Sequence, residues 1–166
     1  KPFQRFFPDA KLVCSDVSNE SLSLSRTLNG DVVEYAWMRD GKLPFSPARF
    51  DGIFACCVFH HIPPDQHEST LHEIRRVLKP GGLLMIYEHN PFNPLTVKAV
   101  RNCPFDENAI LLSARQLAST SSRVGLDKFR LSYRVFFPAA LSKLRPLENY
   151  LRWLPAGAQY FIALRA

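Results

Sequence analysis

Glycine is scarce in this chain, which has seven glycines in 166 residues. No two of them are separated by a single residue, so the sequence contains no G-x-G turn, in which missing side chains let a ligand approach the backbone. Long hydrophobic runs are also absent, and no apolar stretch approaches the roughly 20 residues that a membrane-spanning helix needs. The sequence therefore predicts no transmembrane segment.

Cysteine is sparse as well. The chain has four cysteines, without the CxxC spacing of zinc and disulfide frameworks, at positions 14, 56, 57 and 103. Three of them fall in predicted strands, which favours buried, reduced thiols over disulfides or zinc ligands. Reduced thiols are typical of the cytosol, and the sequence predicts a cytoplasmic location.

Apolar residues make up 46% of the chain and aromatic residues 12%, the composition of a globular protein. The length predicts a single domain, residues 1–166, with a hydrophobic core. Positive charge is concentrated in residues 98–166, which hold 11 lysines and arginines against 4 acidic residues, whereas residues 1–97 hold 10 against 11. This basic part is either solvated surface or a face for an acidic substrate, nucleic acid or anionic lipid, and both interpretations stay open.

The stretch from Phe50 to Asn90 carries the clearest structural pattern. An apolar run over residues 53–59 is too continuous for a half-exposed strand and has the length of a strand that is buried on both faces. A second apolar run, residues 83–87, predicts another buried strand. A helix is predicted between the two, so the stretch forms a βαβ unit with parallel strands.

The helix of this unit is predicted from Asp65 to Leu78. Asp65 is suited to the N-cap and Glu68 to the capping-box position, and the apolar residues 71, 74, 77 and 78 fall on one face. The segment 79–82, Lys-Pro-Gly-Gly, predicts the end of the helix and a tight reversal.

Four short motifs occur in or near this stretch: Leu43-Pro44-Phe45, Arg49-Phe50-Asp51, His60-His61, and the run from Glu73 to Gly82. In this order they resemble the motifs of the class I S-adenosylmethionine-dependent methyltransferases, in their small-molecule branch. The resemblance continues through Glu88-His89-Asn90-Pro91 and, more loosely, through Ala158-Gln159-Tyr160-Phe161.

The resemblance implies an α/β fold, a three-layer Rossmann-like methyltransferase sheet that is mostly parallel with an antiparallel C-terminal pair. Parallel strands are predicted at about 11–15, 31–37, 52–58 and 83–88, and the antiparallel pair at about 128–137 and 159–164. In the family's strand order, 3-2-1-4-5-7-6, the central strand leads into a G-x-G-x-G turn, for which the chain has no residues. We therefore expect a domain that is incomplete at the N-terminus and lacks its first, central strand.

Two consequences follow from the expected gap in the sheet. The strands that flank it expose ladder edges, which predicts possible self-association through them. The part of the cofactor site that holds the methionine end is also lost, so this truncated form is predicted to be weak or inactive.

The cofactor that the resemblance implies is S-adenosyl-L-methionine. Asp16 ends the strand predicted at 11–15, with Val17 next to it, and in the family a carboxylate at this position accepts hydrogen bonds from the ribose hydroxyls. The alternative for Asp16 is the N-cap of a helix predicted from Asn19 to Leu28, and the two roles can coexist.

Two further pairs complete the predicted cofactor site. Asp40-Gly41 precedes the Leu-Pro-Phe motif, where family members contact the adenine amino group, although a plain surface turn is the alternative. The backbone near Cys56-Cys57 is expected to pass beneath the ligand.

Catalysis in this family depends mainly on positioning the acceptor, so no universal catalytic side chain is expected. His61 and His89 would stand at the carboxyl ends of neighbouring strands, where either could act as a base, while a packed or capping histidine is the alternative for each. His67 and His72 are five residues apart and do not share a helix face, so the sequence predicts no metal site.

The predicted function is methyl transfer from S-adenosylmethionine to a small-molecule or lipid-like acceptor. The alternative is a non-catalytic methyltransferase-like binding or regulatory partner. The chain lacks the (D/N)PP(Y/F) motif of amino-group methyltransferases, which argues against a nucleic acid substrate. The aromatic and basic segment from Phe136 to Trp153 is a candidate cover for the acceptor pocket, with ordinary packing on the sheet as the alternative.

Overall fold

The computed structural model describes residues 8–30 and 33–166. The chain divides into two compact units, residues 1–46 and residues 47–166. The first holds β1 (Val13–Asp16), α1 (Asn19–Asn29) and β2 (Glu34–Trp37). The second holds β3 (Phe50–Cys56), α2 (His67–Val77), β4 (Leu78–His89), α3 (Pro94–Arg101), α4 (Ala114–Arg123), β5 (Asp127–Arg134), α5 (Glu148–Leu151) and β6 (Gln159–Arg165). Short 3-10 helices are formed by Phe59–His61, Pro64–Gln66, Pro104–Asp106 and Ala139–Leu147.

The first unit is a parallel pair of strands with one connecting helix. Asp16 of β1 lies opposite Trp37 of β2 in the ladder. Ser18, rather than Asp16, caps α1, because its side chain accepts a hydrogen bond from the Ser21 N–H. The predicted start of β2 at residues 31–32 lies outside the described residues.

The second unit contains a four-stranded sheet in the order β3-β4-β6-β5. β3 and β4 are parallel, while β6 is antiparallel to both of its neighbours. The core lies along the two central strands, where Leu84, Ile86, Ile162 and Leu164 are fully buried. The predicted α/β fold with an antiparallel C-terminal pair is therefore confirmed.

The prediction for the start of α2 is wrong in detail. Pro63 and Pro64 lead into a short 3-10 helix, so α2 begins at His67 after Gln66, whose side chain makes no capping bond. Glu68 does not close a capping box; its carboxylate instead binds Arg123 at 3.0 Å.

The Gly-rich segment after α2 also differs from the predicted reversal. Leu78 already has extended backbone and pairs with Phe50, and the next regular pair is Gly52 with Leu83. Residues 79–82 are thus absorbed as an irregularity within β4, where Gly81 adopts a φ of 77°. The positive φ predicted for this segment is present, and the four residues 79–82 of β4 stand opposite the single residue Asp51 of β3.

Burial along β3 is lower than the sequence predicted. No residue of Phe50–Cys56 is fully buried, since β3 is an edge strand of its sheet and alternate residues face outward. The expectation of buried cysteines is also wrong. All four cysteines are free thiols, with Cys56 exposed and the others half-buried.

In the part of the chain that the structure describes, four strands have a partner on one side only, namely β1, β2, β3 and β5. The edges of β1 and β3 are the two that the sequence predicts beside the missing strand. Among the described residues, β1 pairs only with β2, and β3 pairs only with β4. The sequence predicts one domain whose sheet lacks a central strand, and the described residues form two sheets with unpaired β1 and β3 edges. In the described part of the chain, no helix is both long and apolar enough to cross a membrane.

Candidate active site

Glu88, near the end of β4, is the centre of a buried polar cluster in the second unit. Its side chain is fully buried. One carboxylate oxygen accepts hydrogen bonds from the N–H groups of Val58 (2.9 Å) and Phe59 (2.7 Å), and the other lies 2.6 Å from Nδ1 of His60. A buried carboxylate is costly unless it is bonded in this way, so these contacts explain how Glu88 is accommodated.

His60 lies on the 3-10 helix that follows β3 and is 1% exposed. Because Nδ1 faces Glu88, Nε2 points away from it and lies 3.4 Å from a carboxylate oxygen of Asp106. Within the described residues, Nε2 makes no hydrogen bond. Burial by itself lowers the pKa of His60, but the bond to Glu88 and the charge of Asp106 outweigh it, and the pKa is raised.

Three other side chains surround the His60 imidazole. Nε2 of His61 lies 3.4 Å from the same oxygen of Asp106, and the His61 side chain is 42% exposed. The ring centroids of His61 and His89 lie 4.2 and 5.2 Å from that of His60. Burial and the nearby His60 lower the pKa of His89. Burial by itself raises the pKa of Asp106, but a hydrogen bond from Cys103 and the nearby histidines outweigh it, and the pKa is lowered.

The structure thus brings together both histidines that the sequence singled out. His61 follows β3 and His89 ends β4, as predicted from the parallel pairing of these strands. Sequence reasoning missed His60, Glu88 and Asp106. Glu88 and His60 were in quoted motifs, but Asp106 lies 45 residues after His61 on a short 3-10 helix, where no periodic pattern marks it.

The backbone at the end of β3 is strained. Cys57 has a φ of 54°, in the left-handed region that residues other than glycine rarely adopt, and its N–H donates to the Tyr87 carbonyl at 2.8 Å. Burial, followed by the nearby Cys56 and Glu88, raises the pKa of the Cys57 thiol to about 12.

In the first unit, Asp16 accepts a hydrogen bond from the Ser18 N–H through one oxygen, at 2.8 Å. No hydrogen bond to its second oxygen is found among the residues that the structure describes. Val17 is 66% exposed. Asp40 and Gly41, both at positive φ, form the centre of a two-residue turn closed by Arg39 and Lys42, which is the geometry of the surface-turn alternative.

Two segments that are far apart in the sequence are joined by side-chain amides. Asn90, which is 1% exposed, donates to the carbonyls of Pro155 and Gly157. Asn93 donates to the Ala156 carbonyl. These bonds hold the segment before β6 against the end of β4, next to His89.

Solved methyltransferase structures share this fold. An S-adenosylmethionine-dependent methyltransferase from Mesorhizobium loti superposes with a TM-score of 0.69 at 13% identity, over 99% of this chain and 85% of that one. One from Archaeoglobus fulgidus superposes with a TM-score of 0.63 at 11% identity, over 99% and 91%. At this level of identity the likeness establishes the fold, that of the class I methyltransferases.

Sequence comparison then shows the family. Residues 1–86 match the family model described as a methyltransferase domain, and the chain belongs to that family of class I S-adenosylmethionine-dependent methyltransferases. The cofactor of this family is S-adenosyl-L-methionine.

Two curated relatives indicate the range of the family. The ubiquinone/menaquinone biosynthesis C-methyltransferase UbiE of Hahella chejuensis is 30% identical over 138 residues, which cover 79% of this chain and 55% of the relative. The trans-aconitate 2-methyltransferase of Azoarcus sp. is 31% identical over 113 residues, which cover 68% and 43%. The chain spans about half the length of these relatives.

Proposed function

We propose that this chain serves methyl transfer from S-adenosylmethionine to a small-molecule or lipid-like acceptor. The observation that carries the proposal is the cluster of His60, His61 and His89 at the carboxyl ends of β3 and β4, in a chain of the methyltransferase family. Ligands of open α/β sheets bind at this end of the strands. The relatives named above are a C-methyltransferase of ubiquinone/menaquinone biosynthesis and a trans-aconitate 2-methyltransferase, which supports a small acceptor.

The residues of the first unit fit the adenosine part of the cofactor. The second oxygen of Asp16, which has no hydrogen bond among the described residues, suits a ribose hydroxyl, and the exposed Val17 suits a contact with the base. Asp40 and Gly41 lie at an exposed turn and are proposed to contact the adenine. In the second unit, the backbone of Cys56 and Cys57, which is strained at Cys57, is the proposed cofactor contact.

Bound S-adenosylmethionine supplies a methyl group that is already strongly electrophilic, so the chain has mainly to position the acceptor and exclude water. His89 is the better of the two candidate bases. Its half-buried ring stands at the end of β4, whereas Nε2 of His61 already faces Asp106. We propose that His89 accepts the proton that the acceptor loses.

The segment Ala139–Leu147 with α5 supports an apolar acceptor. Tyr150 is 78% exposed and Trp153 74% exposed, which disfavours their ordinary packing on the sheet. Lys143 and Arg145 on the same segment are also exposed. Apolar rings beside cations suit a lipid-like molecule with an anionic group.

A second candidate function, a non-catalytic binding partner, is favoured by the unpaired ladder edges of β1 and β3. Among the described residues these edges have no strand beside them, and such edges are templates for pairing with another chain. Self-association through these edges belongs to the same proposal, and light scattering at rising protein concentration would detect it.

The test of the first proposal is cofactor binding by the 166-residue chain, followed by ligand-observed NMR because we expect a weak affinity of roughly millimolar. We expect binding that is lost in Asp16→Ala and unchanged in Asp9→Ala, an exposed aspartate of the same unit. Equal binding by wild type and Asp16→Ala would refute the role of Asp16.

Methyl transfer is tested separately, with radiolabelled S-adenosylmethionine, trans-aconitate and quinone precursors as acceptors. Transfer that is reduced in His89→Gln supports the enzyme. Cofactor binding without transfer to any of these acceptors would favour the non-catalytic partner.

A further inference from the structure

We propose that His60, His61 and Asp106 form a binding site for one divalent transition-metal ion such as Zn²⁺, with Glu88 orienting His60. All four residues belong to the second unit. The site goes beyond methyl transfer and does not depend on it. The sequence predicted no metal site, because the pair His67 and His72 does not share a helix face. The proposed site uses other residues.

The first argument is the buried ring nitrogen of His60. The residue is 1% exposed, and its Nε2 makes no hydrogen bond within the described part of the chain. Buried polar atoms are nearly always bonded, so an unbonded one points to a missing partner such as an ion. This nitrogen faces the Asp106 carboxylate and the neighbouring His61.

The second argument is the spacing of the three ligand atoms. Nε2 of His60 and Nε2 of His61 each lie 3.4 Å from the same oxygen of Asp106, and all three atoms lie within 4.8 Å of one another. Two ligands at about 2.0–2.1 Å from a tetrahedral zinc ion are separated by about 3.3–3.4 Å. Charge-assisted hydrogen bonds are shorter, about 2.7–2.9 Å. The two observed distances between nitrogen and oxygen are therefore those of ligands that share an ion.

The third argument is the support behind the ligands. Glu88, 2.6 Å from Nδ1 of His60, holds a proton on that nitrogen and leaves the lone pair of Nε2 for a metal, the arrangement in which a carboxylate orients a metal-binding histidine. The His60 carbonyl accepts from the Ile110 N–H at 2.8 Å, and the Asp106 N–H donates to the Cys103 carbonyl at 3.0 Å. The first bond ties the segment that carries Asp106 to the segment that carries the histidines, and the second fixes the backbone of Asp106 within its own segment.

The donor set selects the class of metal. Two imidazole nitrogens and one carboxylate oxygen suit Zn²⁺ or a neighbouring transition metal, whereas Mg²⁺ and Ca²⁺ prefer oxygen ligands. The charge of a divalent ion balances the carboxylates of Asp106 and Glu88 when both imidazoles are neutral. Three protein ligands leave a coordination position open for water or another oxygen ligand.

The experiment is calorimetric titration of the chelator-treated 166-residue chain with Zn²⁺. We expect one ion per chain and no comparable binding of Mg²⁺. His61→Gln and Asp106→Asn should each weaken Zn²⁺ affinity by at least about tenfold, and Glu88→Gln by about 10–100-fold. His72→Gln is the matched control, because His72 is exposed and lies outside the cluster, and its affinity should equal that of wild type.

Glu88→Gln could disturb the fold, so His61→Gln is the decisive variant. The His61 side chain is 42% exposed, and circular dichroism before the titration verifies that the variant is folded. Absence of stoichiometric Zn²⁺ binding by wild type, or equal affinity in wild type, His61→Gln and Asp106→Asn, would overturn the site.

Nitrogen-detected NMR of the imidazoles gives an independent readout. Coordination should shift the Nε2 resonance of His60 when Zn²⁺ is added, and the shift should be absent in Asp106→Asn at the same Zn²⁺ concentration. An unchanged His60 resonance in wild type would mean that Nε2 simply carries a proton toward Asp106, and the proposal would be rejected.

Discussion

Glu88 and His60 are 28 residues apart in the chain, yet their side chains meet at 2.6 Å with neither exposed to solvent. The contact joins the end of β4 to the 3-10 helix that follows β3. It fixes the imidazole on which the candidate site is built. Its removal should therefore affect both the stability of the second unit and the position of His60.

We expect Glu88→Ala to destabilise the second unit by about 3–5 kcal/mol, because it leaves the buried His60 and the N–H groups of Val58 and Phe59 without their acceptor. The midpoint of thermal unfolding should fall by on the order of 10 °C. Near-UV circular dichroism in the presence of a chelator measures this without any contribution from metal.

The matched control is Glu68→Ala, which removes a surface carboxylate bound to Arg123 at 3.0 Å. Exposed ion pairs contribute about 0–1 kcal/mol, so this variant should unfold close to wild type. A similar loss in the free energy of unfolding in both variants would show that the buried hydrogen bonds of Glu88 contribute no more to stability than an exposed ion pair.

Gly157 cannot carry a side chain where it stands. A Cβ atom there would lie 2.5 Å from the Arg134 carbonyl oxygen and 2.8 Å from its nitrogen, both backbone atoms. Gly157→Ala should therefore cost about 1–3 kcal/mol or more, because the segment before β6 must move away from β5. Chemical denaturation, followed by tryptophan fluorescence, measures the loss.

Gly52 offers the control within the same unit. A Cβ at Gly52 meets its nearest atoms at 3.6 and 3.8 Å, ordinary contact distances. Gly52→Ala should be neutral, or stabilising by up to about 0.5–1 kcal/mol, because alanine loses less backbone freedom on folding. The prediction is wrong if the two alanine variants unfold at the same denaturant concentration.

The Cys57 thiol should react slowly with alkylating reagents near neutral pH. Burial raises its pKa to about 12, from an ordinary value of 9.0, and only the thiolate is nucleophilic. Tandem mass spectrometry after brief iodoacetamide treatment at about pH 8 should find Cys57 unmodified, with labelling that increases as the pH is raised.

The same shift sets the sign of a pH effect on stability. Below pH 9.0 the Cys57 thiol is protonated in the folded and in the unfolded chain, whereas at higher pH the unfolded chain loses the proton first. Stability should thus fall as the pH rises from 9.0 toward about 12, and less so in Cys57→Ala. An equal decline in both chains would contradict this assignment.

Trp153 should be dispensable for folding. Its residue is 74% exposed, so Trp153→Ala should change the free energy of unfolding by less than about 0.5 kcal/mol. Phe59→Ala, at an aromatic residue that is 1% exposed, should cost about 3–5 kcal/mol. If Trp153 covers the acceptor, Trp153→Ala should weaken acceptor binding in an NMR titration while the stability of the chain stays close to that of wild type.

Local patterns in the sequence were sufficient to predict the regular elements between Phe50 and Asn90. The two apolar runs at 53–59 and 83–87 correspond to β3 and the second part of β4, and the predicted helix between them corresponds to α2. The positions of His61 and His89 at neighbouring strand ends followed from the same pattern. Periodicity is a property of neighbouring residues, so it can be read before the chain is folded.

Burial and long-range pairing were decided by the tertiary structure. β3 is less buried than its apolar composition predicts because it is an edge strand among the described residues, and Cys56 is therefore exposed. The sequence predicted a reversal at the Gly-rich segment 79–82, and pairing with β3 on both sides of it makes this segment an irregular part of β4.

The polar cluster around Glu88 depends on tertiary packing and could not be predicted from local sequence. The sequence shows His60, Glu88 and Asp106 only as separate residues, and none of them was assigned a role. Contacts across 28 residues between His60 and Glu88, and across a longer separation to Asp106, depend on how β3, β4 and the Pro104–Asp106 helix pack. Local sequence determines which backbone conformation each segment prefers, whereas the partners of a buried charge are set by packing, because only the assembled core removes water and requires that charge to be bonded.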